Sequence, residues 1–145
     1  MDISVTGPRN GHIDLIREAY TTIVVKDFAK QLGINRLAMS IQVRLHNALL
    51  FRCPGDKETD TEGLCESLSL RDFIIDIATW GDWLTTLAHE MVHVKQFARG
   101  ELSPNFSRWK KLERDFDDYW EQPWEKEARR LQHKLALKFS KDQGE

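Results

Sequence analysis

The chain has 145 residues, 41% hydrophobic and 30% charged, with a formal net charge of -2 at pH 7, which describes one ordinary globular domain able to bury a core without staples. The balance of 21 basic against 23 acidic side chains gives no electrostatic reason to expect nucleic acid as a partner. No apolar run is long enough to cross a membrane, and the start, Met1-Asp2-Ile3-Ser4, carries neither a basic leader nor an apolar stretch, so a cytoplasmic monomer spanning 1–145 is expected.

From about Gly11 to Gly33 apolar residues recur at helical spacing: Ile13, Ile16, Ala19, Tyr20, Ile23, Val24, Phe28 and Leu32. This pattern predicts a long amphipathic helix ended near Gly33, with His12 solvated at its entrance. Between Ala38 and Leu50 the period changes. Ile41, Val43 and Leu45 alternate with Gln42, Arg44 and His46, as in a strand with one buried face, and His46 falls on the polar side. The acidic, turn-rich run from Pro54 to Gly63 lacks the spacing of a calcium loop and reads as a connection. Cys53 and Cys65 fit neither a redox pair nor a zinc knuckle, so two free thiols are expected. Strands are predicted at Gly63–Ser67 and Asp72–Ala78.

Trp80-Gly81-Asp82 breaks the pattern, and Asp82 is a good N-cap for a helix that ends before Gly100. Its apolar stripe is Leu84, Leu87, Ala88, Met91, Val94 and Ala98, and it carries H-E-x-x-H as His89, Glu90 and His93. Residues four apart on a helix share a face, so two imidazoles can hold one metal ion with Glu90 beside it as general base. Two histidines satisfied within a core would look the same, so the motif gains weight only with a third ligand.

The stretch from Ser103 to Asp118 is polar with aromatic interruptions. Its basic Arg108-Trp109-Lys110-Lys111 is followed at once by acids, which points to local packing with a solvated face. Pro123 opens a last helix with an acidic first turn and an apolar stripe of Leu131, Leu135, Leu137 and Phe139.

A catalytic zinc takes three protein ligands and leaves a position open. The metzincin extension would place its Gly and His where Gln96 and Arg99 stand, which excludes that class. With T-L-A-H-E-M-V-H-V-x-Q on one helix and P-W-E-K-E-A-R at the head of another, the chain resembles the gluzincin-type zincin metallopeptidases, especially small SprT-like ones of phages and bacteria. The resemblance covers about Ala38 to Leu137. It implies an α+β fold with a long N-terminal helix, a small, mostly antiparallel sheet of three to four strands, the H-E-x-x-H helix and a C-terminal ligand helix. It also implies Zn2+ held by His89, His93 and Glu125, with Glu127 and then His133 as alternative third ligands. Glu90 would be the general base, and Tyr119 would steady the oxyanion. A polypeptide substrate would pair with the strand Gly63, Leu64, Cys65 and Glu66. Where relatives of the E-x-x-A-D type have an aspartate this chain has Arg129, so no partner for a metal-bound imidazole is readable. The other expectation is a zincin-like domain without activity that binds a partner, such as a phage accessory protein.

Overall fold

The structure, a computed structural model, describes residues 1–7, 12–47, 51–52, 60–61, 63–79, 81–106, 108–110, 112–113 and 122–143. Strand β1 (Asp2–Thr6) leads to helix α1 (His12–Gln31), which carries the chain back so that β2 (Ser40–His46) runs parallel to β1, with Ile3 opposite Ile41 and Val5 opposite Val43. A short antiparallel ladder of β3 (Phe51–Arg52) and β4 (Asp60–Thr61) follows. Then β5 (Gly63–Ser69) turns back through Leu70 and Arg71 into β6 (Asp72–Ala78), and β6 leads to helix α2 (Trp83–Ala98). A second small ladder, β7 (Arg108–Trp109) with β8 (Leu112–Glu113), precedes helix α3 (Pro123–Asp142).

The main sheet has the order β1-β2-β6-β5. It is mixed, which corrects the expectation of a mostly antiparallel sheet. The β1–β2 and β2–β6 pairings are parallel, and only β5–β6, joined by a tight turn, is antiparallel. Alternation along β2 specifies one buried face but says nothing of its neighbours' direction; for β1 the α1 crossover sets it. Strand β1 itself was not anticipated, although Asp2-Ile3-Ser4-Val5-Thr6 alternates in burial as a strand should.

Helices α1 and α2 lie against the sheet and α3 packs along α2. Ile41, Val43 and Leu45 of β2, with Phe73, Ile75 and Ile77 of β6, form the sheet side of the core. The α1 side is Thr21, Val24, Val25, Phe28 and Ala29, a stripe at helical spacing. Ile16 and Ile23 fall on its flank and are exposed, so the apolar stripe read from sequence is broader than the face one sheet covers. Aromatic edges join the three helices. Tyr20 meets Trp83 at 6.0 Å and Phe139 at 5.8 Å between ring centroids, and Phe28 meets Phe139 at 6.2 Å. On the outward face of the sheet Arg44 grips the buried carboxylate of Asp76 with two hydrogen bonds, at 2.7 and 2.9 Å, and His46 bonds it at 2.8 Å. None of the described helices is long and apolar enough to cross a membrane.

Candidate metal centre

Helix α2 starts where the sequence indicates. The Asp82 carboxylate accepts hydrogen bonds from the Thr85 N–H at 3.2 Å and hydroxyl at 2.7 Å, satisfying a donor that a helix start leaves orphaned. Past its end Gly100 adopts φ +72°, a left-handed conformation that suits glycine. Beyond its apolar stripe, α2 also buries Glu90, His93 and Gln96. Polar groups so placed must find partners inside the protein.

Helix α3 supplies them for His93 and Gln96. Pro123 sits at its start, where a missing N–H costs nothing, and Glu125 follows in the first turn, where the helix dipole favours a carboxylate. Trp124, 2% exposed, anchors this helix head. Its ring lies 6.2 Å from Trp109 and 6.1 Å from Phe106, and Phe106 lies 5.7 Å from Phe97 of α2. The aromatic interruptions in the segment after α2 therefore brace the two helices against each other.

Between these helices the Glu125 carboxylate faces both imidazoles. Its Oε2 lies 2.9 Å from His89 Nε2 and its Oε1 lies 3.1 Å from His93 Nε2. One ligand atom from each of the three residues falls within 4.8 Å of the others, and the group could hold a metal ion. Tetrahedral coordination at about 2.0–2.1 Å spaces ligand atoms about 3.3 Å apart, so each histidine nitrogen needs to move only a few tenths of an ångström away from the carboxylate oxygen it faces. The other ring nitrogens are already engaged. His89 Nδ1 faces Gln132 Oε1 at 2.7 Å and His93 Nδ1 faces Gln96 Oε1 at 2.8 Å. Amide oxygens accept, so each Nδ1 carries its hydrogen and each Nε2 is left for the shared centre.

The electrostatics follow from burial and proximity. Burial opposes a charged His93, but the Glu125 hydrogen bond and the nearby Glu90 outweigh it and raise the imidazole to about 9. His89 is raised in the same way. For Glu125 burial pushes upward, yet hydrogen bonds from both histidines hold it well below the usual carboxylate range. Glu90 is raised, chiefly by burial, with the two histidines pulling the other way. It stands close enough for His89, His93 and Glu125 all to bear on its charge.

These shifts set a pH window for the metal-free protein. A raised imidazole stabilises the fold fully below its ordinary value of 6.5 and loses that contribution as pH climbs toward about 9. The depressed Glu125 stabilises above its ordinary 4.5 and loses that contribution on acidification, whereas the raised Glu90 costs stability as pH rises above 4.5. Metal-free protein should therefore be most stable between about 4.5 and 6.5, and metal ions, which displace the histidine protons, should add more as pH rises to 9. Thermal melts with and without metal across that range check this. A metal-free melting temperature that rises between 6.5 and 9 would contradict it.

Strand β5 is the sheet edge beside the cluster. Gly63 faces α2 so closely that a Cβ there would stand 2.6 Å from Thr86 Cγ2 and 3.2 Å from Glu90 Cγ. Gly63→Ala should cost about 1–3 kcal/mol through this overpacking, and Thr86→Ser, which removes the offending methyl, should restore most of it. Denaturant unfolding of the single and double variants measures both. Further along β5, Leu64 and Glu66 point outward and Cys65 is a buried free thiol pushed well up by burial.

Other expected site residues stand apart. Glu127 bonds Lys95 at 3.0 Å and Gln96 at 3.1 Å rather than the imidazoles. His133 is exposed, with its ring 3.2 Å from the Gln132 amide. Tyr119 lies outside the described residues, as do Cys53 and most of the acidic connection. A cleft of about 570 Å3, lined by Ser67, Leu70, Phe97, Leu102, Pro104 and Arg108 among others, lies at the far end of β5 and includes none of the cluster. Sequence reasoning missed Gln96 and Gln132. The available signal was an amide three residues past His93, on the helix side that carries both motif histidines. No protein-family model matches the chain, and no curated protein or solved structure is significantly similar to it.

Proposed function

We propose that the protein is a zinc-dependent metallopeptidase, and the observation that carries this reading is the Glu125 carboxylate set 2.9 and 3.1 Å from the two histidine nitrogens of H-E-x-x-H. Two nitrogens and one carboxylate oxygen are a donor set suited to catalytic zinc, which activates water at neutral pH and polarises a carbonyl. In this reading His89, His93 and Glu125 hold the ion. Glu90, with its affinity for a proton raised by burial, takes one from the attacking water and passes it to the leaving amine. Gln96 and Gln132 keep the ligand nitrogens aimed. The substrate is an extended polypeptide, and the outer edge of β5, next to Glu90 at Gly63, offers it backbone pairing.

The test is metal analysis of the purified protein together with cleavage of an unfolded polypeptide before chelation, after it, and after zinc is restored. About one zinc per chain and cleavage that follows the zinc are expected. Protein that takes up no zinc, or cleavage indifferent to chelation, would overturn the reading.

A further inference from the structure

The Gln96 side chain is fully buried and makes three hydrogen bonds, one to His93 on its own helix and two across the interface to α3. Its Nε2 lies 2.9 Å from the Trp124 carbonyl and 3.1 Å from Glu127 Oε1. Both of those atoms can only accept, so this end of the amide must be the NH2 group. The opposite end, 2.8 Å from His93 Nδ1, is then the oxygen. A flipped amide would set its oxygen against two acceptors and its NH2 against the imidazole N–H. Glu127 thus helps decide which nitrogen of His93 carries the hydrogen, although it never touches the ring. Lys95 holds Glu127 in place at 3.0 Å, and Glu101 holds Lys95 at 2.7 Å. Trp124 immediately precedes Glu125, so the same amide also ties down the backbone that presents the carboxylate ligand.

His89 has no such support. Gln132 is only partly buried, and the described contacts of its NH2 group run to the exposed His133. The two imidazoles of one motif are therefore held unequally, His93 by a buried strut and His89 by a side chain at the surface.

We propose that Glu127 is a positioning residue of the metal centre, selecting through Gln96 the Nδ1-protonated form of His93 and so presenting its Nε2 to the metal. The inference rests on the metal-site part of the function proposed above and does not depend on what the protein cleaves. Partners that orient a metal-bound histidine typically change metal affinity 10–100-fold when lost. A residue that merely filled space would change stability without touching the ring's protonation.

Two variants separate the possibilities. Glu127→Met removes the acceptor and keeps the bulk, whereas Glu127→Gln keeps an acceptor oxygen and removes the charge. Zinc affinity is measured by chelator competition on protein shown folded by its melting transition, and the His93 tautomer by nitrogen-15 imidazole resonances of metal-free protein above pH 9, where the ring is neutral. Cobalt substitution adds a visible spectrum sensitive to ligand geometry. The expected result for Glu127→Met is a 10–100-fold weaker zinc site, a mixed tautomer at His93 and a changed cobalt spectrum. For Glu127→Gln the loss should be several-fold at most. Wild-type affinity and tautomer in folded Glu127→Met would overturn the proposal, as would equal losses in both variants, which would assign the effect to charge alone. If the wild-type chain itself takes up no zinc, the functional reading fails first, an outcome distinct from either.

Discussion

Glu90→Gln is expected to keep its zinc and lose cleavage by about 10^2–10^4-fold, the usual contribution of a positioned general base. Glutamine preserves the shape of a side chain that is only 6% exposed and lies close against Gly63. It cannot accept a proton. The buried glutamate also carries part of its ionisation cost in the folded state, so the amide should leave the fold as stable or slightly more stable at pH 7. Metal content, melting temperature and turnover of an unfolded polypeptide, measured on one preparation, give the answer. Full activity in the variant would remove Glu90 from the chemistry. If neither protein cleaves but both hold one partner equally well, the domain is a binding module, and the glutamate is merely a buried acid.

Glu125→Gln attacks the other half of the site and should do two separable things. Zinc affinity should fall on the order of 10^3-fold, beyond the 10–100-fold typical of residues that only orient a ligand, because a neutral amide oxygen replaces the one anionic donor. The metal-free protein should also be destabilised by about 3 kcal/mol near pH 6, the scale for breaking a buried ion pair, since two imidazolium rings lose the carboxylate between them. That second loss should shrink as pH approaches 9, where His93 gives up its proton in the wild type too. Chelator competition and denaturant unfolding at two pH values distinguish these effects. A variant that binds zinc as tightly as wild type would exclude Glu125 as a ligand.

Much of this centre was legible because the decisive features are local. Asp82 and Gly100 bracket a helix whose period places His89 and His93 on one face, and Pro123 marks the start of another with Glu125 in its first turn. Those signals depend on residues within a few positions of each other. The choice of Glu125 over Glu127 had rested on likeness to a motif. In the structure a physical reason stands beside it: residues two apart on a helix point in different directions, and the second carboxylate is occupied by Lys95 and Gln96. What pattern could not reach was relational. The amides of Gln96 and Gln132 acquire meaning only once α3 lies on α2. Likewise β1, β2 and β6 pair in parallel through connections that no alternation of Ile41, Val43 and Leu45 encodes.

The bridge from Arg44 to Asp76 has a consequence for how accurately that site is built. Parallel strands whose side chains alternate can slip by two residues and still turn every apolar group inward, so the core alone does not distinguish β2 paired as it stands from β2 paired two places along. Arg44 and Asp76 are direct partners across that pairing, and their fork of two hydrogen bonds exists in one alignment only. A two-residue slip would leave Asp76 without its guanidinium and displace β6 by roughly 6.6 Å. Because β6 runs through Gly81 directly into α2, that displacement would carry His89 and His93 with it. A salt bridge on the outer face of the sheet, which touches none of the three ligands, thereby acts as the ruler against which they are set.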